Sequence, residues 1–137
     1  MQQIQKYPAG WRVLHWVMAL MILRIVVKIR VKSPPYPESM PRTLQIAAKS
    51  MHHLIYVMLV VTPLFGWAGV TAYPALGIVG DVRLPAMPFV PEDKELAGSL
   101  FAIHGWLAIT LGVLVAGHIA AAFRHMLRGD GIFRRMV

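Results

Sequence analysis

The chain has no cysteine among its 137 residues. That absence excludes disulfides, thiolate zinc sites, iron–sulfur clusters and haem attached covalently through a C-x-x-C-H motif. Acidic side chains are also scarce, six against fourteen Lys and Arg, which leaves a net charge of +8. No charged residue of either sign lies between Ser50 and Gly80 or between Leu96 and Phe123. The positive excess is not distributed as a nucleic-acid footprint, because Lys and Arg gather at 6–49 and 124–135, outside the two uncharged runs. Cations flanking apolar spans follow the positive-inside rule, so nucleic acid is not an expected partner. The residues after Met1 lack the charged start, short apolar core and small-residue cleavage site of a secretory leader, and none is expected.

What is abundant is apolar. Hydrophobic residues make up 57% of the chain, above the roughly 45–50% of soluble domains. Each uncharged run exceeds the ~20 residues that cross ~30 Å of hydrocarbon. The length corresponds to about one domain, and the composition is that of an integral membrane protein. The expected fold class is all-α, a transmembrane helical bundle of three membrane segments spanning 1–137 as a single domain. Its helices are expected at about 8–32, 42–70 and 95–127. The stretch 71–94 is expected to be a loop, since it holds Pro74, Pro85, Pro88 and Pro91. Asp81, Arg83, Glu92, Asp93, Lys94 and Glu95 (four acids, two bases) give −2 around this loop, which suits the non-cytoplasmic side. Arg124, Arg128, Arg134 and Arg135 then hold the C-terminus in the cytoplasm.

The first segment breaks this order. Arg12 and Arg24 bracket too few uncharged residues to span, and extension to Val31 carries Arg24, Lys28 and Arg30 into the far half of the bilayer. Lys6 and Arg12 want the same side as the basic stretch 24–49, which one crossing cannot provide. The segment reads best as a splice of two half-helices, with intervening sequence missing near 19–22.

Within the last span, His104 and His118 stand fourteen residues apart. Fourteen steps of about 100° fall 40° short of four turns, so both imidazoles share nearly one stripe, roughly 21 Å apart along the axis. Ionisable groups in hydrocarbon default to a functional reading, and neutral imidazole is the commonest protein ligand for metals such as iron. Two stacked haem sites, one near each bilayer face, would need this spacing.

Six segments now carry a resemblance: Arg12-Val-Leu-His15-Trp16, His52-His53-Leu-Ile-Tyr56, Pro63-Leu-Phe-Gly66-Trp67, His104-Gly-Trp-Leu-Ala108, His118-Ile-Ala-Ala-Ala-Phe-Arg-His125 and Asp130-Gly-Ile-Phe-Arg-Arg-Met136. In this order the chain resembles the bacterial cytochrome b561 family of di-haem, four-helix inner-membrane proteins. It departs in two places. Met21 to Pro35 looks like the end of the family's second helix joined directly to the opening of the first, so that helix's periplasmic haem ligand is absent. Gly105 also stands where the family usually has an acid.

The resemblance implies haem b as the cofactor, with His15 and His118 as the axial pair of the cytoplasmic-side haem. Two imidazoles leave no open iron position, so the implied work is electron transfer. His104 matches the periplasmic ligand. Its partner is lost with the missing segment, so one complete haem site is expected unless another subunit, as in a homodimer, supplies a ligand. His52 and Tyr56, one turn apart, suit contact with a quinone head or a haem propionate, or an interfacial anchor. His125 reads as solvated, and Arg12, Arg124 and Arg128 suit propionates or simply topology. Trp11, Trp16, Trp67 and Trp106 fit an aromatic belt; Gly66, Gly69, Gly112 and Gly117 fit close helix packing. The implied partners are the lipid bilayer and a quinone or redox partner protein, with superoxide as a further reactant. The alternative is a haem-free membrane anchor or degenerate remnant. A small transporter subunit is the weaker rival, because no span holds an acid.

Overall fold

The computed structural model describes residues 9–31, 35–36, 38, 40–79 and 81–129. Lys6 and the tail from Asp130 to Met136 lie outside the described residues, as does the side chain of Trp11. Three helices run in order, α1 Ala9–Arg30, α2 Arg42–Ala72 and α3 Lys94–Arg128, with a small antiparallel pair β1 Gly77–Val79 and β2 Val82–Arg83 between the last two. The fold is that of a helical membrane protein. The short hairpin, Gly77 opposite Arg83 and Val79 opposite Val82, lies where only loop was expected.

The chain divides into two compact units, Met1–Pro37 and Glu38–Val137. The first contains α1, whose 22 residues would reach about 33 Å at 1.5 Å per residue. Lys28 and Arg30 occupy its last turn, where cations complement the negative end of the helix dipole. Its Arg12, Arg24, Lys28 and Arg30 mean that composition alone does not place it in the bilayer.

The second unit is a helical hairpin. α2 and α3 are each long and apolar enough to cross a membrane, yet only 33% and 6% of their most apolar stretches are buried. A core helix of a water-soluble protein would be mostly covered; here Leu54, Val57, Val60, Ile103, Ile109, Val113 and Ile119 face outward. Lipid solvates such surfaces. The α2–α3 seam is built of alternating four- and three-residue steps on α2, through Ile55, Leu59, Thr62, Gly66 and Gly69, all buried except half-buried Gly66. On α3 the matching residues are Ala97, His104, Leu111 and His118, spaced seven apart, with Ala97 and Leu111 buried. A seven-residue repeat keeps one seam facing its partner along the whole pair, and small residues let membrane helices approach closely.

Local chemistry sets the helix ends. Asp93 caps α3, its Oδ1 accepting from the Glu95 and Leu96 backbone N–H groups at 2.8 and 3.1 Å. Gly129, at φ 64°, takes the left-handed conformation at the C-terminal cap, which glycine adopts without a Cβ penalty. α2 continues through Pro63. Its C-terminal end is stapled to the loop: Trp67 Nε1 donates to the Pro85 carbonyl at 2.8 Å, and the Met87 N–H donates to Thr71 Oγ1 at 3.0 Å. The Asp93 N–H donates to the Ala72 carbonyl at 3.0 Å, closing the loop where α3 begins.

Candidate functional site

The heptad seam brings His104 and His118 onto α2, the stripe that their spacing predicts. At one level, His104 Nδ1 lies 2.8 Å from the Thr62 carbonyl oxygen. A carbonyl only accepts, so Nδ1 is the donor, and in the neutral ring the lone pair then sits on Nε2. The imidazole rests over Gly66, one turn beyond Thr62, where an added Cβ would stand 3.0 Å from both Nδ1 and Cε1. One turn further along α3, towards its N-terminus, the Phe101 ring fills the notch at Gly69, where an added Cβ would come within 2.7 Å. Thr62 is buried and its Oγ1 has no hydrogen-bond partner among the described residues.

At the other level, near the N-terminal half of α2, His52 and His118 meet edge to face with ring centroids 4.9 Å apart. Tyr56 stacks on His52 at 6.3 Å, as their one-turn spacing allows. All three are half-buried. His53, beside His52, points away from this cluster and donates from Nδ1 to the Lys49 carbonyl at 2.7 Å. His125 is half-buried in the last turn of α3. His15 lies exposed on α1, in the first unit.

Of the glycines singled out in the sequence, Gly66 and Gly69 form close contacts, whereas Gly112 and Gly117 meet nothing within 4 Å. Trp16 and Trp106 are largely exposed, as belt residues would be, while Trp67 is tied to the loop instead. The sequence reading missed Thr62 and Thr71. The only sequence signal for Thr62 is its place seven residues from both Ile55 and Gly69; nothing marks Thr71.

A haem brings four nitrogens of its own to iron and asks the protein for only one or two imidazoles. No group of three or more His, Asp or Glu that could hold a bare metal ion occurs among the described residues, and none is needed. His104 fits the role by its chemistry: metal-bound histidines almost always donate their other ring N–H to a carbonyl or carboxylate.

Comparison with known proteins identifies the family. Residues 23–137 match the family model described as prokaryotic cytochrome b561. Cytochrome b561 homolog 1 of Escherichia coli (strain K12) is 31% identical over 132 residues, covering 96% of this chain and 72% of the relative. No solved structure matches the chain. With a family match over most of its length and two apolar helices that carry histidines along their shared seam, the chain belongs to the prokaryotic cytochrome b561 family, membrane b-type cytochromes of electron transfer.

Proposed function

We propose that the chain passes single electrons through haem b, with His118 and, as the resemblance implies, His15 as its ligands, exchanging them with a quinone or a redox partner protein at one face of the bacterial inner membrane. His104 is then the remaining ligand of a second site that lost its partner with the missing segment and is incomplete unless another subunit supplies one. The observation that carries this reading is the 2.8 Å contact of His104 Nδ1 with the Thr62 carbonyl, an acceptor that occupies Nδ1 and leaves Nε2 as the ring nitrogen available to a metal. The bound haem supplies reversible one-electron iron chemistry. The protein contributes imidazoles fixed on a rigid helix, an apolar surround, and cations at 124 and 128 suited to propionates.

The family match begins at residue 23, beside the junction near 19–22 where a segment is read as missing. That coincidence supports the splice reading and with it a chain carrying one complete site. The cytoplasmic placement of the C-terminus rests on Arg124 and Arg128 against the acidic loop.

Reduced-minus-oxidised absorbance of the purified protein tests the proposal. A b-type α-band with haem near one per chain, lost in His118→Ala, is the expected result. Two haems per chain would refute the incomplete second site. Absence of any band favours the haem-free anchor, a reading that rests on His104 and His118 occupying the same repeat as the packing residues Ala97 and Leu111.

A further inference from the structure

We propose that the Thr62 carbonyl and the missing side chain of Gly66 together form a positioning device that holds the His104 imidazole in one tautomer and one rotation for metal ligation. The inference rests on His104 being a haem ligand, and it adds the groups that make it a good one.

Two independent observations converge on the same ring. The hydrogen bond from Nδ1 to the Thr62 carbonyl, at 2.8 Å, makes Nδ1 the donor and leaves Nε2 as the nitrogen available to a metal. Gly66 fixes where the ring plane lies, because an added Cβ would be 3.0 Å from both Nδ1 and Cε1 and the imidazole would have to give by a few tenths of an ångström. Thr62 and Gly66 are i and i+4 on α2, so a single helical turn supplies both the acceptor and the clearance. A carbonyl has two lone pairs, so it can accept from His104 in addition to the helix's own ladder. The acceptor is backbone and cannot rotate away, unlike a side-chain partner. Gly69 with Phe101 is a packing contact of the same kind one turn away that does not touch His104, and it provides an internal control.

The test uses full-length protein with its resident haem, titrated with haemin in the presence of free imidazole, which can fill the second axial position. The unmodified chain should bind an additional equivalent as a low-spin haem, and His104→Ala should lose it. Gly66→Ala, and replacement of His104 by Nδ-methylhistidine, should each weaken this equivalent by about tenfold and move the largest g value of its low-spin signal. Gly69→Ala should leave both unchanged, even where it lowers thermal stability. If no additional equivalent binds, or if it survives in His104→Ala, the ligand reading fails and the proposal with it. If His104→Ala abolishes the equivalent while the Gly66→Ala and Nδ-methylhistidine proteins match the unmodified chain, the ligand reading stands and the positioning role alone is overturned. Should Gly66→Ala fail to fold, the Nδ-methylhistidine protein decides the matter, since it leaves α2 untouched.

Discussion

The rings of His52 and His118 touch edge to face, their centroids 4.9 Å apart and their planes inclined by 71°. Two imidazoles on opposite sides of one metal, each nitrogen at about 2 Å, would hold their ring centres roughly 6 Å apart. The pair is therefore too close to sandwich iron, and His52 sits beside His118 as a neighbour rather than as its counterpart.

That relationship separates two substitutions. His118→Ala removes a proposed axial ligand, so the b-type band should disappear. His52→Ala removes only a ring that buttresses it, so the band should persist, with haem held about tenfold more weakly. Haem content and difference spectra of both variants provide the check. Equal loss in the two would mean that His52 is itself a ligand.

Thr71 ties the loop to the hairpin. Its buried hydroxyl donates to the Trp67 carbonyl at 2.9 Å and accepts from the Met87 N–H at 3.0 Å. Thr71→Val keeps the shape but leaves the Met87 N–H without its partner. The expected destabilisation is about 1–3 kcal/mol, seen as a lower melting temperature and faster proteolysis within 84–91.

At Gly69, a methyl group would meet the Phe101 ring at 2.7 Å. Overpacking of this kind costs about 1–3 kcal/mol. Because the obstacle is one side chain, Gly69→Ala combined with Phe101→Ala should recover much of the loss relative to the sum of the single changes. A double-mutant cycle on thermal stability measures that coupling; strict additivity would show that the clash is relieved elsewhere.

Asp93 starts α3 by accepting two backbone N–H groups. Asp93→Ala should lower stability by about 0.5–2 kcal/mol, whereas Asp93→Ser should retain most of it. Circular dichroism melting in detergent distinguishes the two.

Residue pattern pointed to the membrane class, because hydrocarbon excludes charge and two uncharged runs are each long enough to cross it. Spacing alone was enough for the shared stripe of His104 and His118, since fourteen residues is two repeats of seven and a helix pair preserves that phase. The histidine motifs carried the family, and α2 and α3 fall close to where hydropathy places them, with α2 extending to Ala72 and α3 beginning at Lys94. Periodicity could not reveal the β1–β2 pair, where two short segments combine only across a turn. It also could not reveal Thr62 or Thr71, whose parts are played by a backbone carbonyl and a hydroxyl of kinds found in any helix. Which ring nitrogen of His104 bears the proton, which glycine gives it room, and that His52 abuts His118 are decided by the approach of α2 to α3. Contacts between residues 42 positions apart, such as Thr62 and His104, depend on where two helices touch, and a linear pattern fixes the facing stripe but not the register at which the stripes meet.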